Sequence, residues 1–115
     1  MTVPEKRRQP RYDSLNLSYV LVDEDENFIE QSVGRTLNVS ESGIRLETNF
    51  ETNTRQGLRL TIALEEELIE LKGKIIYCRT GADAMFETGV AFTEISEKDA
   101  GTLRKFIKIF EEKQG

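Results

Sequence analysis

The sequence predicts a mainly β fold, an antiparallel meander or barrel, closed by one helix at its C-terminal end. Three observations predict it. Apolar residues alternate with polar ones in six short segments, and clusters of Gly, Asn and acidic residues separate those segments. After residue 95 the apolar spacing changes from a period of two to that of a helix. At 115 residues the chain is the size of one domain and long enough to bury a core.

The first segment, "LNLSYVLV" (15–22), alternates Leu15, Leu17, Tyr19 and Leu21 with Asn16 and Ser18. "DEDEN" (23–27) follows as a turn. In "SVGRTLNV" (32–39), strict alternation puts Val33, Leu37 and Val39 on one face and Ser32, Gly34, Thr36 and Asn38 on the other. "GIRLET" (43–48) turns Ile44 and Leu46 inward and Arg45 and Glu47 outward. "GLRLTIAL" (57–64) aligns Leu58, Leu60, Ile62 and Leu64. "LIELKGKIIYCR" (68–79) aligns Ile69, Leu71, Ile75 and Tyr77, and "MFETGVAF" (85–92) aligns Phe86, Val90 and Phe92. This short, even spacing of strands and turns is that of a meander or barrel.

Ser96 is suited to cap a helix, with Asp99 three residues on as in a capping box. Ala100, Leu103, Phe106, Ile107 and Phe110 then recur at helical spacing over about four turns. This apolar stripe most simply lies against the sheet or the barrel mouth.

Composition narrows the function. The chain has no histidine, which removes the usual general base, the commonest zinc ligand and any Ser-His or Cys-His nucleophile. The acids cluster in turns as solvated charge, so the sequence reads as non-enzymatic. Cys78 is the only cysteine, which leaves no intramolecular disulfide and no paired-cysteine metal motif; it reads as a small strand residue. No segment approaches the roughly 18–20 apolar residues of a membrane span. The N-terminus has basic residues but no apolar stretch behind them, so it is not a secretory signal. A cytoplasmic protein is the expectation.

The charge is uneven. Lys6, Arg7, Arg8 and Arg11 fall within six positions, and against Glu5 they give residues 1–12 a balance of +3. With −5 overall, the remaining residues carry −8. An acidic body repels a duplex, whereas a basic arm on it suits a small anionic ligand or an acidic patch on a partner. Pro4 and Pro10 bias the residues before them toward extended backbone. Arg7 and Arg11 can then present two guanidiniums, whose planar forks match phosphate oxygens or the O6/N7 edge of guanine. Taken alone, the stretch is equally a solubilising tail.

A second stretch, "NVSESG" (38–43), gathers Asn38, Ser40 and Gly43. With Val39 pointing into the core, Asn38 and Ser40 share the outer face. Asn offers a donor and an acceptor and Ser a rotatable hydroxyl, so the pair can read a base edge. Gly43 either supplies a positive φ or lets a ligand approach the backbone. Taken alone, this stretch is an ordinary hairpin turn.

The two stretches together, R-x-x-x-R (Arg7, Arg11) before the first strand and N-x-S-x-x-G (Asn38, Ser40, Gly43) between the second and third, resemble the PilZ family. The strand order, the "GVAF" run at 89–92 and the closing helix are similar too, so the resemblance covers nearly the whole chain. It implies a six-stranded antiparallel β-barrel with the C-terminal α-helix packed against it. The arm would be residues 1–13, the barrel 14–93 and the helix 96–113. It also implies a non-catalytic receptor for the bacterial second messenger cyclic di-GMP, with no cofactor.

Carried over from the family, Arg7 and Arg11 hold phosphates and guanine edges, Asn38 and Ser40 bond a guanine, and Gly43 permits the close turn. Asn38 stands where the family accepts Asp or Asn; being neutral, it loses charge assistance but keeps an acceptor. Arg8 either adds charge to the ligand or solvates the arm, and Lys6 flanks the pair. Tyr77 and Phe86 are expected in the core rather than as stacking platforms.

With no output domain of its own, the receptor is expected to signal to an unidentified protein partner in trans, with no duplex nucleic acid and no membrane insertion. The alternative is an interaction module of the same fold in pilus, flagellar or exopolysaccharide machinery that acts without nucleotide. The intact motifs count against it.

Overall fold

The computed structural model describes residues 16–64 and 66–114. Six strands, β1 (Asn16–Val22), β2 (Phe28–Val39), β3 (Gly43–Thr48), β4 (Gly57–Leu64), β5 (Glu67–Thr80) and β6 (Phe86–Glu94), precede the helix α1 (Glu97–Gln114). All pairings are antiparallel, and the strands close a barrel in the order β1-β2-β3-β6-β5-β4. Short turns join β1–β2–β3 and β4–β5–β6 into two meanders. The β1–β4 and β3–β6 pairs join the meanders into a ring, which removes most of the exposed edge that open sheets carry.

Alternation supplies the interior. Leu17, Tyr19 and Leu21 of β1, Ile44 and Leu46 of β3, and Leu58, Leu60, Ile62 and Leu64 of β4 are buried in one core with Ile69, Leu71, Ile75 and Val90. Helix α1 contributes Leu103, Phe106 and Phe110 to the same core. Ser96 caps it, its Oγ accepting the Asp99 N–H at 3.1 Å. The helix runs 18 residues, five turns rather than four. It is held over the barrel end by polar contacts to two hairpins. Glu67 accepts from Lys105 Nζ at 2.8 Å and from Thr102 Oγ1, and Arg104 lies 3.6 Å from Glu41.

Two bulges overturn the strict alternation expected of β2 and β5. In β2, Thr36 pairs with Leu46 and Asn38 with Arg45, so Leu37 is the extra residue. The faces before it are the reverse of those expected: Val33 is 62% exposed, while Gly34 and Thr36 are buried. Beyond it, Val39 is buried and Asn38 exposed, as expected. In β5, Ile75 pairs with Val90 and Tyr77 with Gly89, leaving Ile76 over. Tyr77 therefore leaves the line of Ile69, Leu71 and Ile75 and joins the outer face, which corrects its placement in the core.

Candidate ligand-binding face

The β2–β3 hairpin holds the second motif. Ser40 N–H donates to the Gly43 carbonyl at 2.9 Å, closing the turn. Ser42 N–H donates to Ser40 Oγ at 3.3 Å, and the two hydroxyls lie 3.1 Å apart. Asn38 Oδ1 accepts the Val39 N–H at 2.9 Å. Asn38 and Ser40 remain exposed on the outside of the barrel, as their spacing predicts.

Gly43 does not supply the positive φ, one of its two expected roles. No described glycine has a positive φ. Instead, a Cβ at Gly43 would fall 2.3 Å from the Val90 carbonyl oxygen, so β6 can lie this close only to a glycine. The demand comes from strand packing, not from the turn.

The pairing registers line up Asn38, Arg45, Gly89 and Tyr77 across β2, β3, β6 and β5. Over this row lies a concavity of about 310 Å³, lined by Asn38, Ser40, Gly43, Arg45, Ile76 and Tyr77 among others. Tyr77 packs against Gly89, where a Cβ would sit 2.2 Å from its Cε2. The Tyr77 hydroxyl donates to Glu87 at 2.7 Å, and Glu87 also accepts from Arg79 at 3.0 Å and Arg45 at 3.4 Å. The Arg79 guanidinium lies 5.3 Å from the Tyr77 ring centroid, a cation–π distance. In the same band, Arg35 contacts Glu47 at 3.4 Å.

The electrostatics follow from these contacts. The Tyr77 hydrogen bond, then the two arginines, hold the Glu87 carboxyl below its ordinary value. Burial, then Glu87, pushes the Tyr77 phenol up. The result is a shallow site with an aromatic wall, amide and hydroxyl groups at one rim and guanidiniums at the other. Those features suit a planar, anionic ligand. No described cluster of His, Cys, Asp or Glu could hold a metal ion.

Arg7, Arg8 and Arg11 lie outside the described residues. The structure therefore brings together Asn38, Ser40 and Gly43. It adds Arg45, Ile76 and Tyr77, to which sequence reasoning assigned no binding role. Arg45 was legible as an outward residue two positions after Gly43. Tyr77 was not, because nothing in the period-two pattern marks the bulge at Ile76.

A larger cleft of about 600 Å³ lies beside the β1–β2 turn. There Arg59 and Lys72 lie 3.5 and 3.9 Å from Glu26, and the lining includes none of Asn38, Ser40 and Gly43, so it is the weaker candidate.

Comparison with known proteins decides the family. The PilZ domain model matches residues 5–108. The chain belongs to the PilZ family. PilZ domains bind cyclic di-GMP and are generally non-catalytic receptors or adaptors. No curated protein sequence matches the chain.

Several solved structures share its fold, among them the following three. The PilZ domain of CeSA from a cellulose-synthesising bacterium aligns with TM-score 0.57 and 14% identity, over 85% of this chain and 95% of that one. Bacillus subtilis inhibitor of motility (MotI/DgrA) aligns with TM-score 0.62 and 17% identity, over 97% of this chain and 58% of that one. K. pneumonia MrkH in its apo state aligns with TM-score 0.59 and 14% identity, over 98% and 55%. The chain thus spans little more than half the length of the latter two.

Proposed function

We propose that this chain is a non-catalytic cyclic di-GMP receptor. The outer face of β2, β3, β6 and β5 takes the dinucleotide, and the arginine arm closes over it. One observation carries the reading: Asn38, Ser40 and Gly43 line a single concavity together with a guanidinium and an aromatic ring. In this reading Asn38 and Ser40 bond a guanine edge, and Arg45 supplies charge. Arg7 and Arg11, with Arg8 beside them, pair with phosphates and the O6/N7 edge.

Asn16 pairs with Arg35, three residues from Asn38 on the same strand, so the chain enters β1 at the motif's end of the barrel. Arg11 stands five residues earlier, and an extended chain covers about 3.3–3.6 Å per residue, roughly 17 Å in all. A changed pose of the basic arm on binding is a signal that a protein partner in trans can read. The reading places the receptor in the cytoplasm, and no described helix is long and apolar enough to cross a membrane.

Titration calorimetry of the full chain with cyclic di-GMP and cyclic di-AMP tests it. The expected result is heat with the first ligand and a clear preference over the second. No heat with cyclic di-GMP at high excess overturns the reading, and equal affinity removes Asn38 and Ser40 from base recognition.

A further inference from the structure

Strand β2 runs past the end of its neighbour. β3 pairs with it only over Arg35–Val39, while β1 covers its other side from Phe28 to Arg35. Among the described residues, 28–34 therefore has strand pairing on one side only. Ile29 is an extra residue against β1, which bends the strand. Three side chains there are apolar and exposed: Phe28 by 65%, Ile29 by 41% and Val33 by 62%. An unpaired edge is a template for another strand, and proteins ordinarily blunt it with lysine, proline or several charges. This one carries a single charge, Glu30.

The segment is complementary to itself. An antiparallel pairing of two copies about a two-fold axis at Gln31 sets Ile29 opposite Val33 of the other copy, twice. It sets Glu30 opposite Ser32, so no like charges meet. The two ends of the segment differ in sign. The turn before it carries Asp23, Glu24, Asp25 and Glu26, and Arg35 follows it. The same two-fold axis brings the acidic turn of each copy toward Arg35 of the other.

We propose that residues 28–34 form a homodimerisation edge, through which two copies join their barrels by isologous antiparallel pairing of β2. A strand pair this short falls below the size of standard stable interfaces, so the dimer is weak and concentration-dependent. It lies on a different stretch of β2 from the candidate ligand face and forms without nucleotide.

Sedimentation equilibrium of the nucleotide-free chain, from about 10 µM to about 1 mM, reads it directly. The expected mass rises from one chain to two across this range, and a single-chain mass at the highest concentration overturns the proposal. Ile29→Lys with Val33→Lys sets ammonium against ammonium at both pairs and should weaken association at least tenfold. Ile29→Lys with Val33→Glu sets ammonium against carboxylate in this register alone and should restore association to within a few-fold of the native chain. Circular dichroism checks that both variants, at exposed positions, keep the fold. Persistence of the dimer in the first variant, or no recovery in the second, places the contact elsewhere and overturns the proposal.

Discussion

Tyr77 lies on the outside of the barrel because Gly89 leaves room for its ring, and Glu87 fixes its hydroxyl at 2.7 Å. The same carboxylate restrains Arg45 and Arg79, so three side chains of the candidate site depend on one acid. Two substitutions test the binding roles. Ser40→Ala removes a hydroxyl from the rim of the concavity, and calorimetry should show a loss worth one hydrogen bond, about 0.5–1.5 kcal/mol. Part of any stability change in that variant reflects the turn, because Ser42 N–H donates to the same oxygen. Arg11→Ala should weaken cyclic di-GMP binding severely while the melting temperature of the free protein stays nearly unchanged. Substitutions away from a packed core rarely shift stability by more than about 0.5 kcal/mol. A large fall in melting temperature would make Arg11 structural instead.

At the scale of elements, the β5–β6 turn holds a correctable strain. Asp83 and Ala84 both have positive φ, 55° and 62°, and Met85 N–H donates to the Ala82 carbonyl at 2.9 Å. This is a type I′ hairpin turn with alanine where glycine is preferred. Left-handed backbone costs an L-residue roughly 1–2 kcal/mol, partly offset by glycine's greater freedom in the unfolded chain. Ala84→Gly should therefore raise stability by up to about 1 kcal/mol in urea denaturation with an unchanged slope. A loss of stability would mean that the turn is not strained. The loop after β3 is held by different means. Thr88 Oγ1 lies 3.1 Å from the hydroxyl of Thr48 and 3.0 Å from that of Thr52, and Cys78 Sγ accepts the Thr52 N–H at 3.4 Å. Cys78 is thus a small strand residue that also anchors a loop.

At the scale of the whole molecule, pH and salt are the informative variables. Among the described residues, three carboxyls lie below their ordinary values: Glu67 through Lys105 and then Thr102, Asp23 through the Asn27 N–H, and Glu87 through Tyr77. Groups whose folded value is lowered add stability above their unfolded value and lose it as pH falls through the folded one. The melting temperature should therefore hold down to about pH 5 and decline below the ordinary values of 4.5 and 3.8. Burial raises Tyr19, and burial with Glu87 raises Tyr77, so a second decline should begin above the ordinary tyrosine value of 10.0. Thermal melts across pH check both limbs, and a rise in stability below pH 4 would contradict the carboxyl assignments.

Ligand binding should depend on salt only gently, because a few cations meet two phosphates rather than a duplex. Screening shortens the Debye length from about 10 Å at 0.1 M to about 3 Å at 1 M, while stacking and guanine-edge bonds persist. Calorimetry in rising salt should give a shallow slope. Loss of binding at moderate salt, with polyanions competing well, would make the arm a general charge trap.

Period-two alternation by itself determined the six strands, since one buried face leaves each of them little choice of which side chains turn inward. The change to helical spacing after Ser96 likewise determined α1, and the outward pair Asn38 and Ser40 followed from Val39 alone. The tertiary structure decided what alternation cannot encode. An extra residue at Leu37 or Ile76 leaves the local pattern apolar yet reverses every face on one side of it, and only the partner strand reveals the slip. Gly43 reads as a turn glycine until the Val90 carbonyl appears at its side, and Tyr77 reads as core until Gly89 does. The open edge of β2 is of the same kind. Its apolar residues are visible in the sequence, but their exposure depends on where β3, a separate strand, comes to an end.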